Sequence, residues 1–367
     1  MTKLKSLIPP IVHLNVHSTC MLKCEFCAKS QSNFSKYPAM PLEKFKKYVD
    51  MYTDYGTTIF ELTPPVGDAI NLKPEVLREY LDYLEQNDKV EGYFFYTSLV
   101  TSKRMSSGEY DFIFDRKKFL MQLSLYAVNK DEFIKRTSGQ KKQYDILLDN
   151  IYYILKNIDK LQLCVSDRTT YGNALGLYMK NNQNLPTTEP SPAFRSIINI
   201  IKASPRICLS TSDEILPDHN YKKTTDKTTV NKNTGICLDM LMATGPFPDG
   251  KVSLCSWIDS RKEMIKGNLD EITPEELYKD YFIGEDGEER INTNSLGFDK
   301  KHFVCSGCDY YDDGTVEGGR ASEGTIRRES LDIGKTLEDK VNYIRRTFIE
   351  MLESLRASKG WNKPTWW

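Results

Sequence analysis

The chain has 367 residues, which is enough for two domains of ordinary size or for one large barrel with a smaller second domain. Its 50 basic and 51 acidic residues nearly cancel and form no long run of one sign, so we expect neither nucleic acid nor an anionic membrane as a partner. No apolar stretch approaches the roughly 20 residues of a membrane helix, and residues 1–10 do not resemble a signal peptide, so a cytoplasmic location is expected.

Strand-like and helix-like segments alternate along residues 1–215, which we predict to form one domain. Strands are predicted over 11–18, 57–63, 93–98, 119–127, 161–168 and 206–210, and helices over 42–55, 74–86, 141–157 and 193–203. Repeated strand–helix units are typical of a parallel sheet or barrel, so the predicted fold class is α/β.

One face of these predicted strands is repeatedly polar. The polar positions that alternate along the strands are His13, Asn15 and His17; Glu61 and Thr63; Gln122, Ser124 and Tyr126; and Gln162, Cys164, Ser166 and Arg168. Parallel strands buried on both faces are usually apolar throughout. A partial (β/α) barrel with a polar, ligand-holding interior explains the pattern; poorly assigned edge strands are the alternative.

The rest of the chain differs in composition. Residues 216–235 are polar and are predicted to be a linker, and residues 236–312 are predicted to form a small second domain. Residues 313–367 are predicted to hold a mobile segment and a C-terminal helix. That helix, over 337–357, has one apolar face, made of Val341, Ile344, Phe348, Met351 and Leu355.

Seven of the nine cysteines fall into two groups, which in a chain without an export signal indicates metal ligands rather than disulfides. The first group, Cys20, Cys24 and Cys27, has the spacing C-x3-C-x2-C and follows the first predicted strand. Three thiolates on a short loop can hold three irons of a [4Fe–4S] cluster and leave the fourth iron open. A zinc site with His17 as the fourth ligand is the alternative.

This motif and its position resemble those of the radical S-adenosylmethionine (radical SAM) superfamily. The resemblance implies that SAM binds the open iron and is cleaved, by an electron from the cluster, to methionine and a 5′-deoxyadenosyl radical that removes a hydrogen from the substrate. It also implies an electron donor such as flavodoxin or ferredoxin. Phe26, just before the third cysteine, matches a family position that packs near the adenine of SAM.

The resemblance extends over most of residues 8–215 and implies further SAM contacts. After the second strand the family usually has a Gly-Gly-Glu-Pro turn, whereas this chain has Thr63, Gly67 and Asp68 in a Thr-Pro-x-x-Gly-Asp segment. Asp68 is expected to accept a hydrogen bond from the ammonium of SAM. The alternative is that Asp68 is an ordinary turn residue.

Residues near the ends of later strands match other family positions that contact SAM. Thr97 and Ser98 resemble a polar segment on the third strand, and Ser124 resembles a residue of the fourth strand that touches the ribose or the carboxylate. Arg168, which ends the fifth predicted strand, resembles a basic residue that pairs with the SAM carboxylate. The alternatives are a strand hydroxyl for Ser124 and a surface ion pair for Arg168.

The second cysteine group consists of Cys237, Cys255, Cys305 and Cys308. A hairpin over 247–255, with Asp-Gly at its turn, can bring these distant thiolates together. Zinc and an iron–sulfur cluster fit four thiolates equally well. Beside a radical SAM core the pattern resembles the twitch domain, the short form of the SPASM domain, and this implies one closed auxiliary [4Fe–4S] cluster for electron transfer.

The two remaining cysteines, Cys164 and Cys208, are either core residues or hydrogen-atom donors, as in radical epimerases of similar architecture. The resemblance thus implies a radical SAM enzyme with two [4Fe–4S] clusters that oxidises a small molecule or modifies a peptide. A radical epimerase, and a zinc- or cluster-stapled binding protein without activity, are the alternatives. The pattern names neither the substrate nor the oligomeric state.

Overall fold

The computed structural model describes residues 8–24, 27, 36–63, 67–167, 190–210, 245–253, 265–278 and 337–361. Within these ranges, no helix combines the length and apolarity needed to cross a membrane. The expected linker at 216–235 lies outside the described residues, as does most of the predicted second domain.

Six parallel strands form one sheet, in the order in which they occur along the chain. They are β1 (Ile11–His13), β2 (Ile59–Glu61), β3 (Gly92–Thr97), β4 (Phe119–Leu125), β5 (Leu163–Asp167) and β6 (Ile207–Ser210). The α/β class and the parallel strands are confirmed. β1 is shorter than predicted because the backbone N–H of Asn15 bonds to Pro246 and that of Val16 to Leu14, rather than to β2.

Helices connect most of these strands. They are α1 (Leu42–Tyr55), α2 (Pro74–Gln86), α3 (Lys130–Thr137), α4 (Lys141–Lys156) and α5 (Pro192–Ala203). Sequence reasoning missed α3, although its start carries a signal: the Asn129 side chain accepts a hydrogen bond from the Glu132 N–H at 2.9 Å. Eight residues are too few to show a clear apolar period, so the cap was the only local indication.

The two faces of the sheet are covered differently. One face packs against α1, α2, α4 and α5 in the large apolar core, for example through Phe60, Phe95 and Val165. We call the opposite side the inner face. There, six side chains form an apolar surface, named here the apolar floor: Ile11, Ile59, Phe94, Leu120, Cys164 and Cys208.

A long C-terminal helix covers the apolar floor. This helix spans Leu337–Arg356 and is called the floor helix. Ile344, Phe348, Met351 and Leu355 are buried against the floor, which confirms the predicted apolar face at these positions; the Val341 side chain is outside the described residues. The Phe348 and Phe94 rings lie 5.3 Å apart. A Cβ at Gly92 would come within 2.5 Å of the Phe348 ring, so the close approach requires glycine there.

A small hairpin region follows residue 245. β7 (Lys251–Ser253) pairs antiparallel with β8 (Ile265–Asn268), and a short helix at Pro274–Tyr278 comes next. The predicted hairpin turn is confirmed at Gly250, which has a φ of 86°, and an antiparallel bridge joins Pro246 to Val252. β8 and the short helix were not predicted, since each is too short to show a period.

Several contacts hold this hairpin region against the sheet domain, including a hydrogen bond between the hydroxyls of Tyr52 and Tyr278. The N–H of Gly245 donates to the His13 carbonyl at 2.8 Å, and a Cβ at Gly245 would lie 2.3 Å from that oxygen. On the other side Asp270 forms ion pairs with Lys44 at 2.7 Å and Lys47 at 2.9 Å. The hairpin region therefore lies against the end of β1, the strand that leads into the first cysteine group.

Candidate functional site

The first three cysteines follow β1 at the C-terminal end of the sheet, where ligands of parallel α/β sheets commonly bind. Cys24 is buried, and Cys20 and Cys27 are partly buried. The Cys27 N–H donates to the Cys24 carbonyl at 3.0 Å, which closes a tight turn between the last two thiols. The Leu22 N–H points to the Cys20 sulfur at 3.4 Å.

Two contacts fix this loop against other elements. The Lys23 N–H donates to the carbonyl of Thr137, at the end of α3, at 3.0 Å. The Met21 N–H donates to the Asn71 side-chain oxygen at 2.8 Å, and the Asn71 amide donates to the Val100 carbonyl at 2.7 Å. Asn71 thus joins the cysteine loop to the segment after β3. Sequence reasoning missed Asn71, because nothing in its local sequence distinguishes it from a turn residue.

The electrostatics of the three thiols indicate that they lie close together. Burial raises the pKa of the Cys24 thiol well above its usual value, and negative charge on Cys27, Cys20 and Asp68 raises that pKa further. Three thiolates in so small a space need a cation to offset their repulsion, and soft thiolates suit an iron–sulfur cluster. In a four-iron cluster each thiolate binds a different iron, so the sulfurs need not converge on one point. The residues fit such a group.

Convergence on a single metal ion is a different matter. Among the side chains that the structure describes, no three His, Cys, Asp or Glu groups converge as they would around one ion. His17, the alternative fourth ligand of a zinc site, is buried, and its Nδ1 accepts the Thr19 N–H at 3.1 Å. That bond directs one imidazole nitrogen to the backbone.

Asp68 connects the segment after β2 to the end of β3. One carboxylate oxygen accepts from both the N–H and the hydroxyl of Ser98, at 2.9 and 2.7 Å, and the other accepts from the Ile70 N–H at 3.3 Å. Burial raises the pKa of Asp68, and these hydrogen bonds oppose the rise. The Asp68 N–H also donates to the Thr19 carbonyl at 3.0 Å. Asp68 and Ser98, predicted separately, therefore lie together beside the cysteine loop.

The other predicted residues near these strand ends have mainly backbone contacts. The Thr63 hydroxyl accepts from the N–H of Tyr96 and donates to its carbonyl at 3.4 Å, which ties β2 to β3. The Thr97 hydroxyl accepts from the Leu99 N–H at 2.9 Å. Leu99 has a φ of 54°, in the left-handed region, so this bond supports a strained turn. Gly67 is partly buried next to Asp68.

Beyond the apolar floor, toward the C-terminal strand ends, the inner face becomes polar. Five buried side chains make up what we call the polar layer: His13, Glu61, Gln122, Ser124 and Ser166. Each follows a floor residue by two or four positions on its own strand. Five of the predicted polar positions therefore share the inner face, whereas Cys164 belongs to the apolar floor, which the floor helix covers.

Within the polar layer His13 and Glu61 form an ion pair across β1 and β2, through Nδ1 and a carboxylate oxygen, and both side chains are 5% exposed. The register places these two residues directly opposite each other. Sequence reasoning placed both on polar strand faces but missed their pairing, because the register between separate strands is not readable from either strand alone.

Cys164 and Cys208 are direct partners in the β5–β6 register and belong to the apolar floor. Both are fully or almost fully buried, and the Cys208 sulfur lies 3.8 Å from the Met351 sulfur of the floor helix. Burial and contact with Cys164 raise the pKa of the Cys208 thiol. This apolar position favours the core role over the hydrogen-donor role.

Six predicted site residues lie outside the described residues, and they stay predictions. They are Phe26, Arg168, Cys237, Cys255, Cys305 and Cys308. Phe26 lies between the described Cys24 and Cys27, Arg168 directly follows the end of β5, and Cys255 falls between the end of β7 and the start of β8.

Comparisons with known proteins gave structural likenesses only. No protein-family model matches the chain, and no curated protein matches it either. Among solved structures, anSMEcpe with bound AdoMet shares 14% identity over 95% of this chain and 98% of that chain, with a TM-score of 0.48.

Two further structures are similar in the same way. SuiB of Streptococcus suis bound to S-adenosylmethionine shares 11% identity over 82% of this chain and 73% of that chain, with a TM-score of 0.47. BtrN in complex with AdoMet and 2-DOIA shares 13% identity over 85% and 92%, with a TM-score of 0.38. At these identities and TM-scores the likenesses carry no conclusion about the chemistry of this chain.

Proposed function

We propose that this protein is a radical SAM enzyme. The observation that carries the proposal is the position of Cys20, Cys24 and Cys27: three clustered thiols on a short loop at the C-terminal end of a parallel sheet. This is the donor set for a cluster with one open iron, placed where a substrate on the inner face can be reached. When bound, the cluster and SAM supply a 5′-deoxyadenosyl radical that removes a hydrogen from the substrate.

The residues of the chain have distinct roles in this proposal. Cys20, Cys24 and Cys27 hold the cluster, and Asn71 fixes their loop through its bond to the Met21 N–H. Asp68 is proposed to accept from the SAM ammonium. Its two oxygens already accept from the N–H and hydroxyl of Ser98, the hydroxyl of Thr97 and the N–H of Ile70, so the SAM ammonium would share the carboxylate with these donors or replace one of them.

Further contacts to SAM are proposed around this centre. Phe26 packs near the adenine, Arg168 pairs with the carboxylate, and Ser124 of the polar layer reaches the ribose or the carboxylate. Thr63, Gly67 and Thr97 shape the backbone that receives SAM, which agrees with the hydrogen bonds of Thr63 and Thr97 at the ends of β2 and β3. The buried strand ends exclude water from this centre, which protects a radical from side reactions.

The second part of the proposal is an auxiliary [4Fe–4S] cluster held by Cys237, Cys255, Cys305 and Cys308. Four thiolates leave no open iron, so its role is electron transfer, and flavodoxin or ferredoxin is the proposed external donor. An oxidation of a small molecule or a peptide needs such an acceptor. The apolar burial of Cys164 and Cys208 disfavours the alternative in which a thiol returns a hydrogen atom to the substrate.

Iron content tests the cluster assignment. After anaerobic reconstitution we expect about eight irons per chain, because each four-iron cluster contributes about four. Replacing Cys20, Cys24 and Cys27 with Ala leaves about four irons, and so does the double variant Cys305→Ala/Cys308→Ala, through loss of the other cluster. Circular dichroism checks that each variant is folded. About four irons together with zinc in the unmodified protein would contradict the auxiliary cluster.

A further inference from the structure

Two side chains of the polar layer have no hydrogen-bond partner in the part of the chain that the structure describes. The amide nitrogen and the amide oxygen of Gln122 are both buried and unbonded, and so is the hydroxyl of Ser166. Both residues are 0% exposed. Unpaired buried polar groups destabilise a folded protein, and native proteins keep few of them. Two of them on neighbouring strands therefore need an explanation.

Gln122 and Ser166 lie on the same face and close together. The β4–β5 register pairs Gln122 with Cys164 and Ser124 with Ser166, so these four residues share the inner face. Ser166 lies one step nearer the C-terminal strand ends than Gln122. Cys164 belongs to the apolar floor, so the unpaired groups lie between that floor and the end of the sheet that carries the cysteine loop.

The chemistry of the pair selects the kind of group that it can bind. Gln122 offers two N–H donors and a carbonyl acceptor, and Ser166 offers one donor and an acceptor. No charged residue is present in β4, from Phe119 to Leu125. The two ionisable side chains of the polar layer, His13 on β1 and Glu61 on β2, contact each other. Gln122 and Ser166 are both neutral, so a carboxylate or phosphate bound by these two residues alone would keep an uncompensated charge in a buried site, whereas an uncharged polar group would satisfy both residues.

We propose that Gln122 and Ser166 are the substrate-binding residues for an uncharged group that both donates and accepts hydrogen bonds, namely a carboxamide or a hydroxyl. The proposal rests on the proposed function, because it takes the ligand of the inner face to be the substrate of the radical reaction. In this proposal the substrate provides the partners that the described residues do not offer to these two side chains.

Thermal stability gives a first test that needs no ligand. Gln122→Leu replaces an unbonded amide with an apolar group of similar size beside the apolar floor, so its melting temperature rises by about 2–4 °C in the ligand-free, cluster-loaded protein. Gln86→Leu, at the exposed end of α2, is the matched control and leaves the melting temperature unchanged. A fall in melting temperature for Gln122→Leu, or failure to fold, shows that the amide is satisfied within the protein and overturns the proposal.

Binding of small probes gives the second test. Ligand-observed NMR is recorded with three probes: N-acetylglycinamide offers a carboxamide, and myo-inositol offers hydroxyls. N-acetylglycine, the anionic control, has a carboxylate where N-acetylglycinamide has its carboxamide. At least one uncharged probe binds, and the dissociation constant of that probe rises about tenfold in Gln122→Leu and in Ser166→Ala. The probe that binds identifies the group as carboxamide or hydroxyl. Equal or tighter binding of N-acetylglycine, or unchanged binding in both variants, overturns the proposal.

Gln122 and Ser166 could instead bind SAM, and the affinity of the protein for SAM distinguishes this possibility from substrate binding. Equilibrium dialysis with SAM gives the same dissociation constant for the unmodified protein and for Gln122→Leu if the pair binds substrate. A tenfold weaker SAM affinity assigns the pair to the cofactor and overturns the proposal. Loss of the proposed function is distinguishable, because a protein that never forms 5′-deoxyadenosine would still show the stability gain and the probe binding.

Discussion

The two halves of the inner face are formed by the same strands but differ in what their side chains contact. The apolar floor is closed by the floor helix, with Phe348 against Phe94 and the Met351 sulfur against Cys208. The polar layer, only two to four positions further along the strands, holds the His13–Glu61 contact and two side chains that have no hydrogen-bond partner among the described residues. One half of the face thus provides stability through protein packing, and the other half is kept polar at a cost that a ligand can offset.

The largest effect is expected where the floor helix meets the floor. Phe348→Ala removes a fully buried ring that contacts Phe94 and the backbone at Gly92. The free energy of unfolding falls by about 3–5 kcal/mol, which is typical of a buried phenylalanine truncated in a core. Urea denaturation measures this free energy, and Asn342→Ala, on the exposed side of the same helix, is the control. A loss as small as that of the control would show that the helix does not close the floor.

The ion pair of the polar layer is expected to have the next largest effect. Glu61→Leu takes the carboxylate partner from His13 in a buried site, and the free energy of unfolding falls by roughly 3 kcal/mol. The double variant His13→Leu/Glu61→Leu recovers much of this loss, because an apolar pair of similar size avoids the burial of charge. Urea denaturation of the three proteins measures the coupling. Additive losses in the double variant would show that the two side chains act independently.

The smallest effect concerns the hairpin region, which is attached to α1 by a partly exposed ion pair. Burial alone would raise the pKa of Asp270, but hydrogen bonds from Lys44, Lys47 and Tyr48 outweigh it and lower the pKa to about 2. Because the folded pKa is below the usual value of about 3.9, the stabilisation is complete above pH ~4 and is lost as the pH falls toward 2.

Melting temperatures check this pH dependence. Asp270→Asn lowers the melting temperature slightly at pH 6, by the equivalent of less than about 1 kcal/mol for an exposed pair. The difference from the unmodified protein narrows as the pH falls from 4 to 3. A difference that stays constant over this range would mean that the carboxylate charge does not hold the hairpin region to α1.

The sequence predicted the sheet well because its signals are local. The continuous aromatic run of β3, the alternation over the second half of β4 and the apolar stripe of the floor helix are all visible in the local sequence. Cys164 was predicted on the polar face and lies in the apolar floor, because a strand does not show what covers it. Asn71 and the His13–Glu61 pair were missed for the same reason: their importance lies in contacts between residues far apart in the chain.

The formation of 5′-deoxyadenosine tests the central claim most directly. Anaerobic, cluster-loaded protein is incubated with SAM and dithionite, and the products are separated by chromatography. The unmodified protein is expected to form 5′-deoxyadenosine, and so is Met21→Ala, a variant of the same loop that keeps all three thiols. Cys24→Ala forms none, because one ligand of the proposed cluster is missing. Equal 5′-deoxyadenosine formation by folded Cys24→Ala, or S-adenosylhomocysteine as the sole product of the unmodified protein, would contradict the account.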